Sequence, residues 1–442
     1  MKIEKPLWFL ALPLLLCLNL GFAQARGWET LTDSGQEAFK KGDYAEAVKQ
    51  WKAALLEAES FDAEDRRLAT SLYNLARALR RQARFDEAVP LCQRALQLRT
   101  KLLGADHADV AQVLNDLAIL AHERGHYTDA LATYQQALAI REKTLGPAHA
   151  DVGETLSGLG ETYRAIGKYA EAESTLRRSV AILEESPGQD SVELADSLTH
   201  LGGLFRSQHK YADAEVQFRR SLEIKEKALG PLHPEVASGL NNLGLALSNQ
   251  GKYAEAEPLL KRSISIKEAT FGTNNLALAP ALNNLAGVYT NQKKYAEAEA
   301  LYRRSLSIRE TADPHHPDVA VVLNNIAYLY QQQGKLTLAE PLYLRALKIR
   351  ESSLGADHAL VAVTLDNLAC LYRDRSEFET AEPLFKRAIA IYEKAFGLAD
   401  RSVAVALENY GALLRKMNRT AEAIAVEARA RAIFDKEKLR QK

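Results

Sequence analysis

One short motif could support metal chemistry. Residues 122–126 read HERGH, which matches the HExxH pattern of zinc proteases, where two histidines bind the metal and the glutamate acts as a base. That chemistry requires both histidines on one face of an unbroken helix. Gly125 occupies a place that reads Gly251-Lys252 elsewhere in the chain and predicts a turn. We therefore predict no metal site, no catalytic residue and no enzymatic activity.

A second set of histidines is spread along the chain, each just ahead of a predicted helix. Their sites are two helix layers apart, at about 8–10 Å per layer, so they cannot converge on one metal ion at about 2 Å. We predict instead that each caps the helix that follows it. The set consists of His107, His149, His233, His316 and His358.

Asparagine recurs at a single helical phase, and it is a mediocre helix former, so its repeated use requires a reason. A primary amide donates and accepts at once, which suits binding a peptide backbone of any sequence. The alternative is that these amides bond between neighbouring repeats as structural spacers. The series comprises Asn74, Asn242, Asn284, Asn325, Asn367 and Asn409, and it is interrupted at Asp116, Gly158 and His200.

Further polar residues stand seven positions later, two turns along the same face: Asn249, Asn291, Gln332, Asp374 and Lys416. We therefore predict a peptide-binding groove in the sixth to tenth helical pairs. Its predicted residues are Asn242, Asn249, Asn284, Asn291, Asn325, Gln332, Asn367 and Asn409.

The elements that position these residues are copies of one unit. Residues 233–272 predict two amphipathic helices joined by a tight turn, and the pattern restarts every 41 or 42 residues. Such a period indicates a stacked repeat protein, in which each pair covers the apolar face of its neighbours. We predict an all-α solenoid of ten helical pairs over residues 26–435. The second helices open at Tyr44, Phe85, Tyr127, Tyr169, Tyr211, Tyr253, Tyr295, Leu336, Phe378 and Thr420.

The two ends differ from the repeats. Residues 1–25 combine lysines, a short apolar run and small residues before Ala25, which predicts a secretory signal peptide cut after Ala25. The alternative is a retained membrane anchor, although Pro13 and Asn19 shorten the apolar run below the roughly 20 residues of a spanning helix. Cys92 and Cys370 then remain, too far apart in a stacked array to form a disulfide. We predict a periplasmic or secreted protein and a polar tail over residues 436–442.

The repeat resembles the tetratricopeptide repeat, in the 42-residue form of kinesin light chains and many bacterial proteins. The resemblance covers about residues 28–435 and is carried by LNNLA at 282–286, GKYAEAEPL at 251–259 and HPDVA at 316–320. It implies a right-handed superhelix whose first helices line a concave groove, without catalytic machinery or a cofactor. In the family, asparagines at this place hold extended peptides.

Family members that clamp a carboxylate tail carry Lys or Arg one turn before the asparagine. This chain has other residues there, which argues against such a clamp and favours an apolar or mixed ligand. The five positions in the predicted groove are Ser238, Pro280, Val321, Val363 and Val405.

The prediction for function is a non-enzymatic scaffold in the bacterial cell envelope that binds a protein or an extended peptide. Lys+Arg and Asp+Glu both number 57, so no net charge favours nucleic acid or an anionic membrane. The alternatives are a regulatory or assembly subunit of an envelope enzyme complex and a membrane-anchored form of the same scaffold. Self-association stays open, as does the oligomeric state.

Overall fold

The computed structural model describes residues 27–186 and 191–440. Within these ranges the backbone forms successive pairs of helices and no strand. The predicted signal peptide, residues 1–25, lies outside the described residues. No helix in the described ranges combines the length and the apolar character needed to cross a bilayer. The contacts divide the chain into two compact units, Met1–Lys252 (unit 1) and Tyr253–Lys442 (unit 2).

Unit 1 begins with α1, which includes residues 27–40, and contains five complete pairs and the first helix of the sixth. Its further helices are α2 (Tyr44–Ala58), α3 (Arg66–Arg81), α4 (Phe85–Leu103), α5 (Ala108–Glu123), α6 (Tyr127–Leu145), α7 (Ala150–Ala165), α8 (Tyr169–Glu185), α9 (Val192–Ser207), α10 (Tyr211–Leu229) and α11 (Pro234–Asn249).

Unit 2 contains the remaining second helix and four complete pairs. Its helices are α12 (Tyr253–Phe271), α13 (Ala279–Asn291), α14 (Tyr295–Ala312), α15 (Pro317–Gln332), α16 (Leu336–Leu354), α17 (Ala359–Asp374), α18 (Phe378–Phe396), α19 (Arg401–Lys416) and α20 (Thr420–Arg440). A short 3-10 turn, Leu276–Leu278, precedes α13. The last helix extends to Arg440, whereas the sequence predicted the end of the solenoid at residue 435.

Helix ends follow the predicted signals. In each of the five histidines ahead of a first helix, Nδ1 accepts a hydrogen bond from the backbone N–H two residues later, at 3.1–3.2 Å. This satisfies one of the N–H groups that a helix start leaves without a partner. The predicted capping role is therefore confirmed. At the other end, second helices such as α4 and α6 stop at a glycine with positive φ, Gly104 and Gly146, as glycine favours.

The turn inside each pair requires left-handed backbone at one residue, two positions before the second helix. Glycine fills this place in half of the pairs and a residue with a side chain fills it in the others, although only glycine adopts this conformation without steric cost. The glycines are Gly42, Gly125, Gly167, Gly251 and Gly334, and the others are Ala83, His209, Lys293, Ser376 and Asn418, with φ near +60°.

Pairs close around small residues. The alanine three residues into every second helix is fully buried, from Ala47 to Ala423. Opposite it, the first helix carries Gly or Ala, against which a large residue of the second helix packs. A Cβ placed on Gly35 would lie 2.4 Å from the indole of Trp51, and one on Gly202 would lie 2.8 Å from Phe218. The small residues therefore set the spacing of the two helices.

Candidate functional site

The asparagine series defines one equivalent position on each first helix from α3 to α19, which we call the ladder position. We define the ladder face as the side chains at this position together with those four residues before it and three and seven after it. The ladder positions are Asn74 (α3), Asp116 (α5), Gly158 (α7), His200 (α9), Asn242 (α11), Asn284 (α13), Asn325 (α15), Asn367 (α17) and Asn409 (α19).

In unit 2 the ladder asparagines bond to the preceding repeat. Three of them, Asn325, Asn367 and Asn409, donate a side-chain N–H to the residue that stands just before the previous ladder position. The Nδ2 of Asn325 bonds Asn283 at 2.9 Å, that of Asn367 bonds Asn324 at 3.2 Å, and that of Asn409 bonds Asp366 at 2.7 Å. These three residues therefore make the bond between neighbouring repeats that was the structural alternative for the series.

The same connection occurs in unit 1 with other residue types. His200 lies 2.8 Å from the hydroxyl of Ser157. Tyr73, which stands just before Asn74, is buried near Asp116, and burial together with this carboxylate raises its pKa well above the usual value. Gly158 has no side chain to offer, and the Oδ1 of the neighbouring Asn115 is buried without a partner. The ladder position thus makes contacts between repeats in both units, which the sequence signalled only where asparagine fills it.

The connection leaves one polar atom of each amide unused. Asp366 accepts through a carboxylate oxygen, so the group of Asn409 that faces it must be the N–H₂ group. The Oδ1 atoms of Asn325, Asn367 and Asn409 receive no hydrogen bond in the described part of the chain. These side chains are half-buried. Each can therefore accept a hydrogen bond from a ligand N–H while holding its neighbour.

The residues seven positions further on are exposed in both units. Asn249 is exposed in α11 of unit 1, and Asn291 and Gln332 are exposed at the ends of α13 and α15 in unit 2. Asn291 donates to the carbonyl of Gly287 in its own helix, at 3.0 Å. These side chains are available to solvent, but no described contact joins them into a cluster.

Aliphatic and aromatic side chains accompany the amides in unit 2. Val321 and Val363 are half-buried, Val405 is 41% exposed, and Tyr328 is 42% exposed. Burial, followed by the proximity of Tyr253 and Tyr295, raises the pKa of Tyr328. The central part of this ladder face is therefore neutral, with charges only at Asp374 and Lys416 toward the last two first helices.

The ladder face of unit 1 carries carboxylates that pair with guanidiniums beside it. Glu123 lies 3.1 Å from Arg80, Glu154 lies 3.0 Å from Arg141, and Glu161 lies 2.5 Å from Arg164. Burial raises the pKa of Glu154, although 43% of its side chain is exposed. The two observations agree if this carboxylate lies in a recess that water can enter.

Unit 1 also closes on itself. Arg81 at the end of α3 forms an ion pair with Glu235 at the start of α11, and Lys225 lies 3.3 Å from the same carboxylate. Burial opposes ionisation of Glu235, but Arg81 and Lys225 lower its pKa to about 2. A Cβ on Gly42 would lie 2.7 Å from Pro234. The start of α11 therefore packs against the first pair and lies within reach of Arg81 at the end of α3.

The HExxH motif does not form a helical metal site. Helix α5 ends at Glu123, Gly125 has φ of 78°, and His126 precedes α6, so the predicted interruption by a turn is confirmed. His122 instead lies 3.0 Å from the hydroxyl of Thr162. Burial lowers its pKa, while Glu161 acts in the opposite direction. Among the described residues, no three His, Cys, Asp or Glu side chains are grouped as metal ligands.

A recurrent basic residue near the end of the second helices was missed by the sequence reasoning. In four repeats it reaches across to the next first helix and donates to the carbonyl ten residues later, at 2.7 Å from Arg141, 2.8 Å from Arg350, 2.9 Å from Arg99 and 3.0 Å from Lys267. In the other two, Lys225 lies 3.3 Å from the carboxylate of Glu235 and Arg309 pairs with the carboxylate of Asp318. We call these residues basic ties. The sequence did contain a signal for them, because Arg or Lys recurs fourteen positions after the start of six second helices. The ties are Arg99, Arg141, Lys225, Lys267, Arg309 and Arg350.

Comparison with known proteins gives a match to the tetratricopeptide repeat family model. The matched segments overlap and run from residue 30 to residue 436: 30–91, 67–143, 127–185, 151–227, 193–269, 235–311, 277–351, 318–394 and 377–436. No match was found among the curated proteins.

Solved structures are similar at low sequence identity. A Rap protein complexed with competence and sporulation factor is 15% identical with a TM-score of 0.60, and the match covers 83% of this chain and 98% of that one. Aspartyl phosphate phosphatase F from Bacillus subtilis is 16% identical with a TM-score of 0.51, over 83% and 94%. BtubC (BKLC) from P. vanneervenii is 21% identical with a TM-score of 0.43, over 51% and 91%. At these identities the first two show likeness of fold alone.

Proposed function

The chain belongs to the tetratricopeptide repeat family, and from this premise we propose that it is a non-enzymatic scaffold that binds an extended segment of a partner protein. The binding surface is the ladder face of unit 2, formed by α13, α15, α17 and α19. Asn242 and Asn249, which the sequence assigned to the same groove, lie in unit 1 and form no part of this proposed surface.

The observation that carries the proposal is the row of unused acceptors on a neutral face. Asn325, Asn367 and Asn409 each keep an Oδ1 for a ligand N–H, and valines stand one turn before them. An extended peptide offers backbone N–H groups at regular intervals together with side chains for the apolar positions. Because each amide is held by its neighbour, little side-chain entropy remains to be lost on binding.

Photo-crosslinking from exposed positions tests the surface without breaking the bonds between repeats. A photoreactive phenylalanine analogue at Val405 or Tyr328 should crosslink a partner protein, and an excess of free peptide derived from that partner should reduce the product. The matched control is Leu344, which is 44% exposed on the second helix α16 and is not part of the ladder face.

Equal crosslinking from Val405 and Leu344 would contradict the assignment to the ladder face. A chain that turns over a substrate in purified form, with loss of turnover on His122→Ala, would contradict the non-enzymatic role. The alternative of a regulatory subunit predicts that the crosslinked partner is an enzyme whose rate changes on binding.

We also propose that the scaffold acts in the bacterial cell envelope. The support is the pattern of residues 1–25, a basic start followed by an apolar run that ends in small residues, as in secretory signals. Fractionation followed by N-terminal sequencing tests it, and the expected product begins after Ala25. An intact amino terminus in the membrane fraction would instead support the anchored form, and an intact amino terminus in the cytosol would reject the proposal.

A further inference from the structure

Two basic ties make the same contacts in different repeats. Arg141 donates through Nη1 to the carbonyl of Asp151 at 2.7 Å and to the hydroxyl of Thr155 at 2.7 Å. Arg350 donates through Nη1 to the carbonyl of Leu360 at 2.8 Å and to the hydroxyl of Thr364 at 2.6 Å. Both guanidiniums are almost fully buried, at 2% and 3% exposure. The backbone and the threonine therefore hold both in one geometry.

The two repeats differ in the carboxylates around that geometry. Arg141 also bonds Glu154 on the ladder face at 3.0 Å, and it lies 4.0 Å from the carboxylate of Asp151. The equivalent residues beside Arg350 are Val363 and Leu360. Both acidic positions of the first site are thus aliphatic in the second.

Arg350 is left as a buried cation without a counter-charge. No carboxylate lies within ion-pair distance of it in the described part of the chain, and its Nε is enclosed without an acceptor. Burial lowers its pKa to about 10. Its Nη2 also has no acceptor and, unlike Nε, is not among the enclosed atoms. A buried charge without a partner is costly, so this guanidinium is primed to accept an anion.

We propose that Arg350 and Thr364 form a recognition point for a carboxylate of the bound peptide, which takes the place that Glu154 fills beside Arg141. The carboxylate approaches Nη2 from the ladder face at Val363, and the apolar parts of the same ligand residue contact Val363 and Leu360. The ligand is therefore a mainly neutral peptide with an acidic group at one fixed place. This inference rests on the proposed function, since it specifies the chemistry of the same surface.

Three pools of labelled octapeptides test the inference by fluorescence anisotropy with the full chain. Their residues are drawn from Val, Asn and Gly, and the central residue is Glu in the first pool and Gln in the second, both with amidated ends. The third pool has the central Gln and a free carboxylate end. A charge-assisted hydrogen bond is worth roughly tenfold in affinity over a neutral one. We expect the first or the third pool to bind about tenfold more tightly than the second, and which of them does so identifies a side-chain or a terminal carboxylate.

Three variants locate the effect. Val363→Glu supplies an internal carboxylate in the place of Glu154, so it should remove the preference for acidic peptides and raise the melting temperature. Val321→Glu is the matched control, because it adds the same charge to the neighbouring repeat, where the basic tie Arg309 already pairs with Asp318. This second variant should keep the preference. Arg350→Met should lose it while retaining binding of the neutral pool.

The outcomes separate the two levels of proposal. Equal binding of all three pools overturns the carboxylate site and leaves the peptide-binding surface intact. Absence of binding by every pool overturns both. A preference that survives both Val363→Glu and Arg350→Met places recognition elsewhere and overturns the role of Arg350, as does loss of the preference in Val321→Glu to the same extent as in Val363→Glu.

Discussion

In unit 1 the ladder face carries carboxylates that pair with nearby guanidiniums, such as Glu154 with Arg141, whereas the positions equivalent to Glu154 in unit 2 hold valine or proline. The helices and the turns inside the pairs follow the same pattern in both units, and side-chain bonds at the ladder position occur in each. The charges of unit 1 pair within the unit, which closes through Arg81 and Glu235, while the described part of unit 2 leaves three amide oxygens without a donor and the buried guanidinium of Arg350 without a counter-charge. The repeated backbone thus sets where side chains meet, and a few substitutions determine whether those sites are satisfied internally or by a ligand.

The largest expected effect follows from breaking the ion pair between Arg81 and Glu235, which closes unit 1. Glu235→Gln removes the carboxylate shared by Arg81 and Lys225, and breaking a largely buried ion pair typically costs about 3 kcal/mol. In the described residues, both tryptophans, Trp28 and Trp51, belong to the first pair of unit 1. The urea midpoint followed by tryptophan fluorescence should therefore fall.

Hydrogen exchange in unit 2 should be unchanged in this variant, because stacked repeats are coupled mainly to their neighbours. The control is Glu297→Gln, a change at an exposed residue of α14, which should alter the free energy of unfolding by less than about 0.5 kcal/mol. An equal loss of protection in both units would show that the comparison between them is wrong.

The stability of unit 2 should depend on pH through Asp366. Burial raises the pKa of this carboxyl to about 6, against the opposing effects of Asn409 and Arg373. A raised pKa means that the folded state holds the proton more tightly than the unfolded chain, so the stabilisation is complete below about pH 4 and is lost as the pH rises through 6. A shift of about two units corresponds to roughly 2–3 kcal/mol.

Asp366→Asn isolates this contribution, because Asn cannot titrate. The difference in unfolding free energy between the variant and the natural chain should change by that amount between pH 4 and pH 7, measured by urea unfolding with far-UV circular dichroism. A difference that does not vary with pH would refute the assignment. In unit 1 the effect has the opposite sign, since Glu235 has a pKa of about 2 and loses its stabilising charge only as the pH falls below about 4.

Placing asparagine at Gly158, where the asparagine series is interrupted in unit 1, should destabilise the fold. A Cβ at Gly158 would lie 2.3 Å from the hydroxyl of Tyr134, which is 2% exposed. Gly158→Asn should therefore cost about 2 kcal/mol through overpacking, although an asparagine there could give Asn115 a partner. The double variant with Tyr134→Ala should be less destabilised than the sum of the two single variants, as measured by thermal unfolding. Simple additivity would show that Tyr134 is not the cause of the interruption.

The smallest effects distinguish the two rows of amides in unit 2. Asn325→Ala removes the bond to Asn283 and should cost about 1 kcal/mol. Gln332→Ala changes an exposed residue at the end of the same helix and should alter stability by less than about 0.5 kcal/mol. Urea unfolding of the two variants measures the difference. Equal costs would mean that the bond between repeats adds nothing in water.

The sequence predicted the repeated architecture because small residues and turns recur at fixed spacing. The caps at the five histidines and the turn at Gly125 followed from the same periodicity. It could not predict the closure of unit 1, since Arg81 and Glu235 are 154 residues apart and meet only through the accumulated curvature of several pairs. It also could not decide between the two roles of the asparagines. One amide can bind its neighbour and a ligand at once, so residue type alone does not distinguish them.

The turns inside the pairs allow the free energy of unfolding to be raised without altering the ladder face of either unit. At Ala83, His209, Lys293 and Ser376 a side chain occupies left-handed backbone that glycine adopts freely, and each exchange for glycine relieves up to about 1 kcal/mol of steric cost, less what the unfolded chain gains in freedom. Because these turns recur along the array, combining the exchanges would give a series of variants with increasing melting temperature. Such variants would stay folded when a bond on the ladder face is removed, so that the effect of that bond on ligand affinity could be measured without loss of the folded state.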